Sequence, residues 1–359
     1  MPLFSPSATI GRPHLWVMVS LGVTLLILFV LDVALGSVSI PPTEVVSILV
    51  GKTASSPAWT SIVTQIRLPK AVTAILAGAA LSVGGLQMQT LFRNPLAGPS
   101  VLGVTSGASL GVALVTMSTG STLSAYTGQA LGLAGSWLIV LAATAGGAAV
   151  LLLVLWVSFR ISDSVVILIV GLMIGNVTLS VVGIWQYFSQ PEQIQNYVLW
   201  TLGSLSSVTP RHLPVLLTVI GIGIGFSFLL SKQLNALLLG ENYARSLGLN
   251  IAQARGFIIL ITSVLAGAVT GFCGPIGFVG IAVPHLTRSL LGTTNHFVLV
   301  PGVMVVGAIV MLGCDIISQM PGSQTVLPIN AVTALVGSPV VIWVILRRRN
   351  SSAGFGRSG

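Results

Sequence analysis

Apolar residues run in long blocks along this chain, separated by short polar breaks, from Leu15 to Arg349. Crossing the hydrocarbon core of a bilayer takes about 20 residues at helical rise, and the blocks predict about ten such helices. They fall over 15–35, 66–90, 98–117, 136–159, 164–187, 211–231, 252–273, 277–291, 301–319 and 329–347. The expected fold is an all-α polytopic membrane protein, with one transmembrane domain over 1–359. The first block, Leu15–Leu35, is longer than the apolar part of a signal peptide, and Gly36-Ser37-Val38 is a poor small-x-small cleavage site, so it is read as a span. Two stretches depart from simple hairpins: a polar external segment over 37–65, and an external region over 189–210 whose apolar piece around 197–205 is expected to lie at the surface as a partial helix. The longest internal loop, 231–253, reads as two short helical pieces.

Composition agrees with lipid as the solvent. Hydrophobic residues make up 54% of the chain and charged residues 6%, whereas a soluble domain carries about a quarter charged residues. The net charge of +9 does not point to nucleic acid, because the Lys and Arg residues stand between apolar runs without a basic face. Their placement predicts topology instead. With both termini cytoplasmic, Arg12, Arg93, Arg160, Lys232, Arg245, Arg255, Arg288, Arg347, Arg348, Arg349 and Arg357 fall inside, and Lys52, Arg67, Lys70 and Arg211 outside. Eleven cations against four satisfy the positive-inside bias. Cys273 and Cys314 lack metal-ligand spacing and read as small packing residues.

The sequence also repeats itself weakly. LAGA at 76–79 recurs at 265–268, and at the same offset Gly85 meets Gly274, Pro95 meets Pro284, Ser100 meets Ser289, Leu102 meets Leu291 and Gly103 meets Gly292, nine identities in twenty-eight positions. An odd number of predicted helices separates the copies, so the second would run in the opposite sense. Inverted repeats, here about 66–187 and 252–347, build transporters with a pathway between the halves. Recurrence of small residues where helices pack closely is the competing explanation.

Few residues could carry catalysis. No His-x-x-x-His and no paired carboxylates stand in an apolar block. Gly51-Lys52-Thr53 imitates the end of a phosphate-binding loop, but Val46 occupies the place of that loop's first glycine. Neither nucleotide nor metal is therefore expected on this chain. Asp315 reads as the one acid well inside an apolar run, with a transport role or a hydrogen-bonded structural role both open. Arg67 and Lys70 open the second predicted span together with Pro69, which suits a helix first turn. Exposed cations there oppose the helix dipole, so an acidic partner outside is the preferred explanation and snorkelling to lipid phosphates the alternative. The loop LGENYARSLGL over 239–249 pairs Glu241 with Arg245 at helical spacing between Gly240 and Gly248. It predicts a small rigid cytoplasmic knob suited to a cleft in another protein, or a plain amphipathic connector.

RLPK at 67–70, LAGAALSVGGLQMQTLFRNPLAGPSVLGVTSGASLG from 76, LGENYARSLGL from 239, GPIGFVGIAVPHLTRSLLG from 274 and TALVGSPVVIWVIL from 333 together resemble the FecCD-type permeases of ATP-binding-cassette importers for iron-siderophore chelates, haem and cobalamin. The resemblance covers the chain from the first span to the last. It implies ten helices per subunit and a pairing around a central pathway, with a second copy or a homologous permease. It further implies two ATPase subunits that hold ATP and magnesium, an extracytoplasmic substrate-binding protein, and residence in the bacterial inner membrane. Gly240, Glu241, Ala244, Arg245, Leu247 and Gly248 would then seat in the ATPase, and Arg67 and Lys70 would dock the binding protein. The 93–97 and 284–288 segments would form cytoplasmic turns. Gln319 and Val326 depart from the Arg and Glu of many relatives, as if one external ion pair were deleted as a unit. Iron-siderophore is the leading cargo by this resemblance, with haem or cobalamin following, and a stand-alone secondary transporter or channel is the rival reading.

Overall fold

The computed structural model describes residues 12–36, 38–52, 55–117, 133–161, 163–320 and 325–354; Ser37, Thr53 and Arg357, used above, lie outside them. Among the described residues all regular secondary structure is helical, without strands. In chain order the helices are α1 Arg12–Ala34, α2 Pro42–Leu49, α3 Pro57–Leu91, α4 Val104–Thr116, α5 Leu133–Arg160, α6 Ser164–Tyr187 and α7 Pro191–Thr201. They continue with α8 Leu213–Leu229, α9 Ser231–Leu238, α10 Glu241–Ser246, α11 Ile251–Cys273, α12 Val279–Leu291, α13 His296–Ser318 and α14 Ile329–Gly354. A helix stands at each of the ten expected positions. Six are long and apolar enough to span a bilayer alone, and α8 with α9 makes a seventh bent by 50°. The chain is a polytopic membrane protein.

α3 begins at Pro57, well before the expected start at 66. Pro69 therefore sits inside a continuous helix, where it lacks the N–H of a regular turn and crowds the turn before it. A π turn over Val63–Arg67, in which the N–H of Leu68 donates to the Val63 carbonyl, lies immediately before it and absorbs the irregularity. The same turn aims Arg67 inward. In the segment before α3 Ser55 donates its hydroxyl and its backbone N–H to Glu44, and the hydroxyl bond first holds that carboxyl below its ordinary value.

Burial sorts the helices into a centre and a rim. Over its most apolar stretch α3 is 83% buried and α11 72%, while α1 is 17% and α6 28% buried. The rim helices turn Leu15, Val19, Val23 and Leu26 of α1, and Ile169, Met173, Val177 and Ile184 of α6, outward. The two central helices exchange partners: α3 packs on α12 and α13, and α11 on α4 and α5. Each central helix thus lies against the second and third helices of the other half, and both second helices, α4 and α12, have 13 residues. Such helices extend about 20 Å, short of a full crossing.

The ungapped register between the halves fails beyond the first helix of each. LAGA lies within α3 and within α11, but Pro95 stands in a turn while Pro284 lies inside α12. Likewise Gly103 precedes α4 and Gly292 follows α12. The turn expected at 284–288 is therefore helical, a segment carried by the 13-residue α12.

Close approach at the centre depends on glycine. A Cβ on Gly85 would stand 1.7 Å from the Gly280 carbonyl oxygen, and one on Gly78 2.2 Å from that of Gly307. α4 and α5 meet in the same way, Gly111 against Ala142 and Gly146 against Gly107. Lipid gives no hydrophobic drive between helices, so backbone approach through small residues supplies the packing. Cys273 and Cys314 are buried and unpaired, as packing residues would be.

Candidate functional site

Two polar assemblies stand at opposite ends of this core. One is the knob over 239–249. Gly240 precedes α10 with φ +114°, and Gly248 follows it with φ +83°. The N–H of Leu249 donates to the Ala244 carbonyl at 3.1 Å and that of Gly248 to the Arg245 carbonyl at 3.0 Å. This paired closure is a Schellman cap, which needs a residue free of Cβ in the left-handed position. Ala244 is buried beneath the helix, while Tyr243, Arg245 and Leu247 face out, and Leu247 is 61% exposed.

Glu241 does not pair with Arg245, as its spacing suggested. Its Oε1 accepts from Arg255 at 3.1 Å and from the Ser164 hydroxyl at 2.8 Å. Arg255 also donates to the Ile161 carbonyl at 3.0 Å. A buried guanidinium in the next helix competes better for the carboxylate than an exposed one four residues on, because fewer waters screen it. Glu241 therefore ties the knob to α11 and to the α5–α6 turn, and Arg245 is left on the outer face.

The other assembly is an ion cluster where the C-terminal ends of α1 and α13 meet the first half of α3. Lys70 Nζ lies 2.9 Å from Asp315 Oδ1. Gln319 Nε2 donates to Asp315 Oδ2 at 3.0 Å and to Asp32 Oδ1 at 2.9 Å. Arg67 donates to the carbonyls of Val33 at 2.9 Å, Ala34 at 2.8 Å and Val38. It thereby caps the last turn of α1, where carbonyls lack helical partners. Gly36 is required beside it, since a Cβ there would stand 2.8 Å from the guanidinium.

These contacts correct two expectations. Arg67 and Lys70 are not exposed cations awaiting an outside acid: Arg67 is buried, the Lys70 side chain is 11% exposed, and both have internal partners. Asp315 is not the one acid within an apolar run, because Asp32 is buried at 2% beside it. Gln319 shares its amide between the two carboxylates. A cavity of about 210 Å³ opens against this cluster, lined by Lys70, Asp315, Ser204, Ser206, Ser318 and Val326 among others.

Between knob and cluster, sequence reasoning missed a buried relay. Asn235 of α9 accepts from the backbone N–H of His296 at 2.8 Å and meets its Nδ1 at 2.8 Å, while His296 Nε2 lies 2.9 Å from the Thr90 hydroxyl at the end of α3.

Residues 24–347 match the FecCD transport family. The chain belongs to that family. It is 33% identical over 337 residues to the hemin transport system permease protein HmuU of Yersinia pestis, covering 93% of this chain and 97% of that one. It is also 33% identical over 335 residues to the vitamin B12 import system permease protein BtuC of Klebsiella pneumoniae, covering 91% and 93%. Among solved structures, a metal-chelate type ABC transporter in an inward-facing conformation superposes with a TM-score of 0.79 at 28% identity, covering 92% of this chain and 99% of the other. This FecCD chain is a multi-pass transport permease subunit.

Proposed function

We propose that this FecCD permease forms the pathway of an ATP-binding-cassette importer for a metal chelate, driven by separate ATPase subunits that bind ATP and magnesium and grip the knob around α10. The observation that carries the proposal is the knob itself: a rigid capped helix, anchored by Glu241 beneath and presenting Tyr243, Arg245 and Leu247 outward. Exposed apolar side chains on a polar helix outside the spans are costly in water and suit a cleft. ATP-driven closure of the two ATPases would press on α10, and the helices tied to it would tilt between outward and inward openings. Differential contact in the two states supplies the coupling.

The cargo class rests on the family. Iron-siderophore, haem and cobalamin remain the candidates, and the hemin and vitamin B12 permeases among the relatives favour a metal held in a large macrocycle. The permease would pair with a second copy or a homologue in the inner membrane, with both termini cytoplasmic. A substrate-binding protein would dock outside. Since Arg67 and Lys70 are engaged internally, the cavity beside Lys70 is the docking feature we favour, with Lys70 reached at its wall rather than as a free cation.

The knob is tested by Leu247→Asp, which places a carboxylate in the gripped face while leaving the Glu241 tether intact. Affinity for the ATPase subunits should fall about tenfold or more, as at a truncated interface anchor, with the thermal stability of the permease unchanged. Association at native strength, measured by co-purification and titration in detergent, contradicts this docking face.

A further inference from the structure

We infer that His296 is a positioning residue that transmits movement of the knob to the central helix α3 and through it to the external end. The inference rests on the proposed role of α10 as the coupling element. α9 leads directly into the knob, and its Asn235 is gripped twice by the first residue of α13, through the backbone N–H and the ring Nδ1 of His296, each at 2.8 Å. Asn235 also donates to the N-cap residue Asn295 at 2.9 Å, so α9 holds both residues that start α13.

Proton assignment follows from the partners. Asn235 Oδ1 is a carbonyl oxygen and only accepts, so Nδ1 of His296 carries the hydrogen. In the neutral ring Nε2 is an acceptor 2.9 Å from the Thr90 hydroxyl, whose one hydrogen is shared between it and the Leu86 carbonyl at 2.9 Å. His296 is fully buried and Thr90 is 3% exposed. No water competes for either bond. A shift of α9 must therefore drag or break directional bonds to the last turn of α3.

The neighbouring turn extends the link. Gln89 donates to the Ile281 carbonyl at 3.1 Å and accepts from Arg288 at 2.6 Å, both on α12. The α3 end thus holds α12 as well as α13. α3 in turn carries Lys70 in its first half, paired with Asp315 in the wall of the external cavity. One rigid, mostly buried helix connects the relay to that cavity.

The test is hydrogen exchange by mass spectrometry on the permease assembled with its ATPase subunits, with and without ATP plus vanadate. In the native complex, peptides over 239–249 and over 199–206, the latter along the external cavity, should both change protection. In His296→Leu and Thr90→Val the knob response should persist, while the external response should shrink about fivefold or more, the low end of ordinary coupling between sites. Thr90→Ser, which keeps the hydroxyl, should restore it.

Native external responses in both His296→Leu and Thr90→Val would overturn the inference alone. Loss of both responses in both variants, without recovery in Thr90→Ser, would assign the two residues a purely structural role and likewise overturn it. Absence of any knob response in the native complex would remove the coupling reading itself, and this inference with it.

Discussion

Gly85→Ala is expected to force α3 away from α12 and to leave little folded permease. The added Cβ would sit 1.7 Å from the Gly280 carbonyl oxygen and 2.5 Å from its carbon, both backbone atoms with no rotamer to yield. Relief requires the two helices to separate by more than an ångström over a contact that both halves share. Overpacking of a well-filled core costs about 1–3 kcal/mol where side chains can move, and here they cannot, so a loss of about 3 kcal/mol or more is expected. Gly84→Ala is the control one residue away: its nearest neighbour would be the Thr262 methyl at 3.2 Å, which can give. Thermal unfolding followed by size-exclusion fluorescence should show Gly85→Ala aggregated or strongly destabilised and Gly84→Ala far less affected. Equal stability of the two would contradict the close packing described.

Lys70→Met should be almost as damaging, and its damage should be reversible by a second change. The substitution keeps the aliphatic stem but removes the ammonium 2.9 Å from Asp315, leaving two buried carboxylates around one Gln319 amide. Breaking a buried ion pair from one side costs about 3–5 kcal/mol, because the remaining charge stays buried without its partner. Lys70→Met combined with Asp315→Asn removes both charges and should recover most of that loss. Additive losses in the double variant, read as a coupling energy near zero in a thermal-unfolding cycle, would contradict the ion cluster. Charge reversal at Arg67 and Lys70 would report on the α1 cap and this cluster before it reported on any docked protein.

The helices were largely legible because bilayer thickness sets their length, and apolar runs display it directly. Both glycines of the knob were legible too, Gly240 as the residue before the helix and Gly248 because a left-handed cap leaves few other choices. Their locations carried over into the structure with α10 between them. What the pattern hid were starts and partners. α3 begins at Pro57 because a π turn lets the helix run on through Pro69, which from sequence alone looks like a first-turn proline. That displacement moved Arg67 and Lys70 from an exposed helix start into the body of the helix.

Asp32 escaped notice because it stands three residues from the edge of the first apolar block, where a carboxylate can as easily reach water. Its burial comes from α13 lying across that edge. Glu241 had two arginines available, and only the tertiary approach of α11 decides for Arg255 over Arg245. α13 starts at His296, ahead of the expected 301. Asn295, which accepts from the Phe297 N–H at 3.0 Å, was a readable cap, but Pro301 drew the predicted start to itself. The relay through His296 joins residues far apart in the chain, and no local spacing announces it.

The central claim is that this chain provides a passage and a handle but no motor. It is tested most directly in proteoliposomes by loading radiolabelled vitamin B12 and hemin, each delivered by the cognate binding protein, on vesicles with ATP inside. Accumulation against a gradient is expected only when the ATPase subunits are present, and it should be lost in Leu247→Asp while their basal ATP hydrolysis continues. Uphill accumulation by vesicles holding the permease without those subunits would contradict the account.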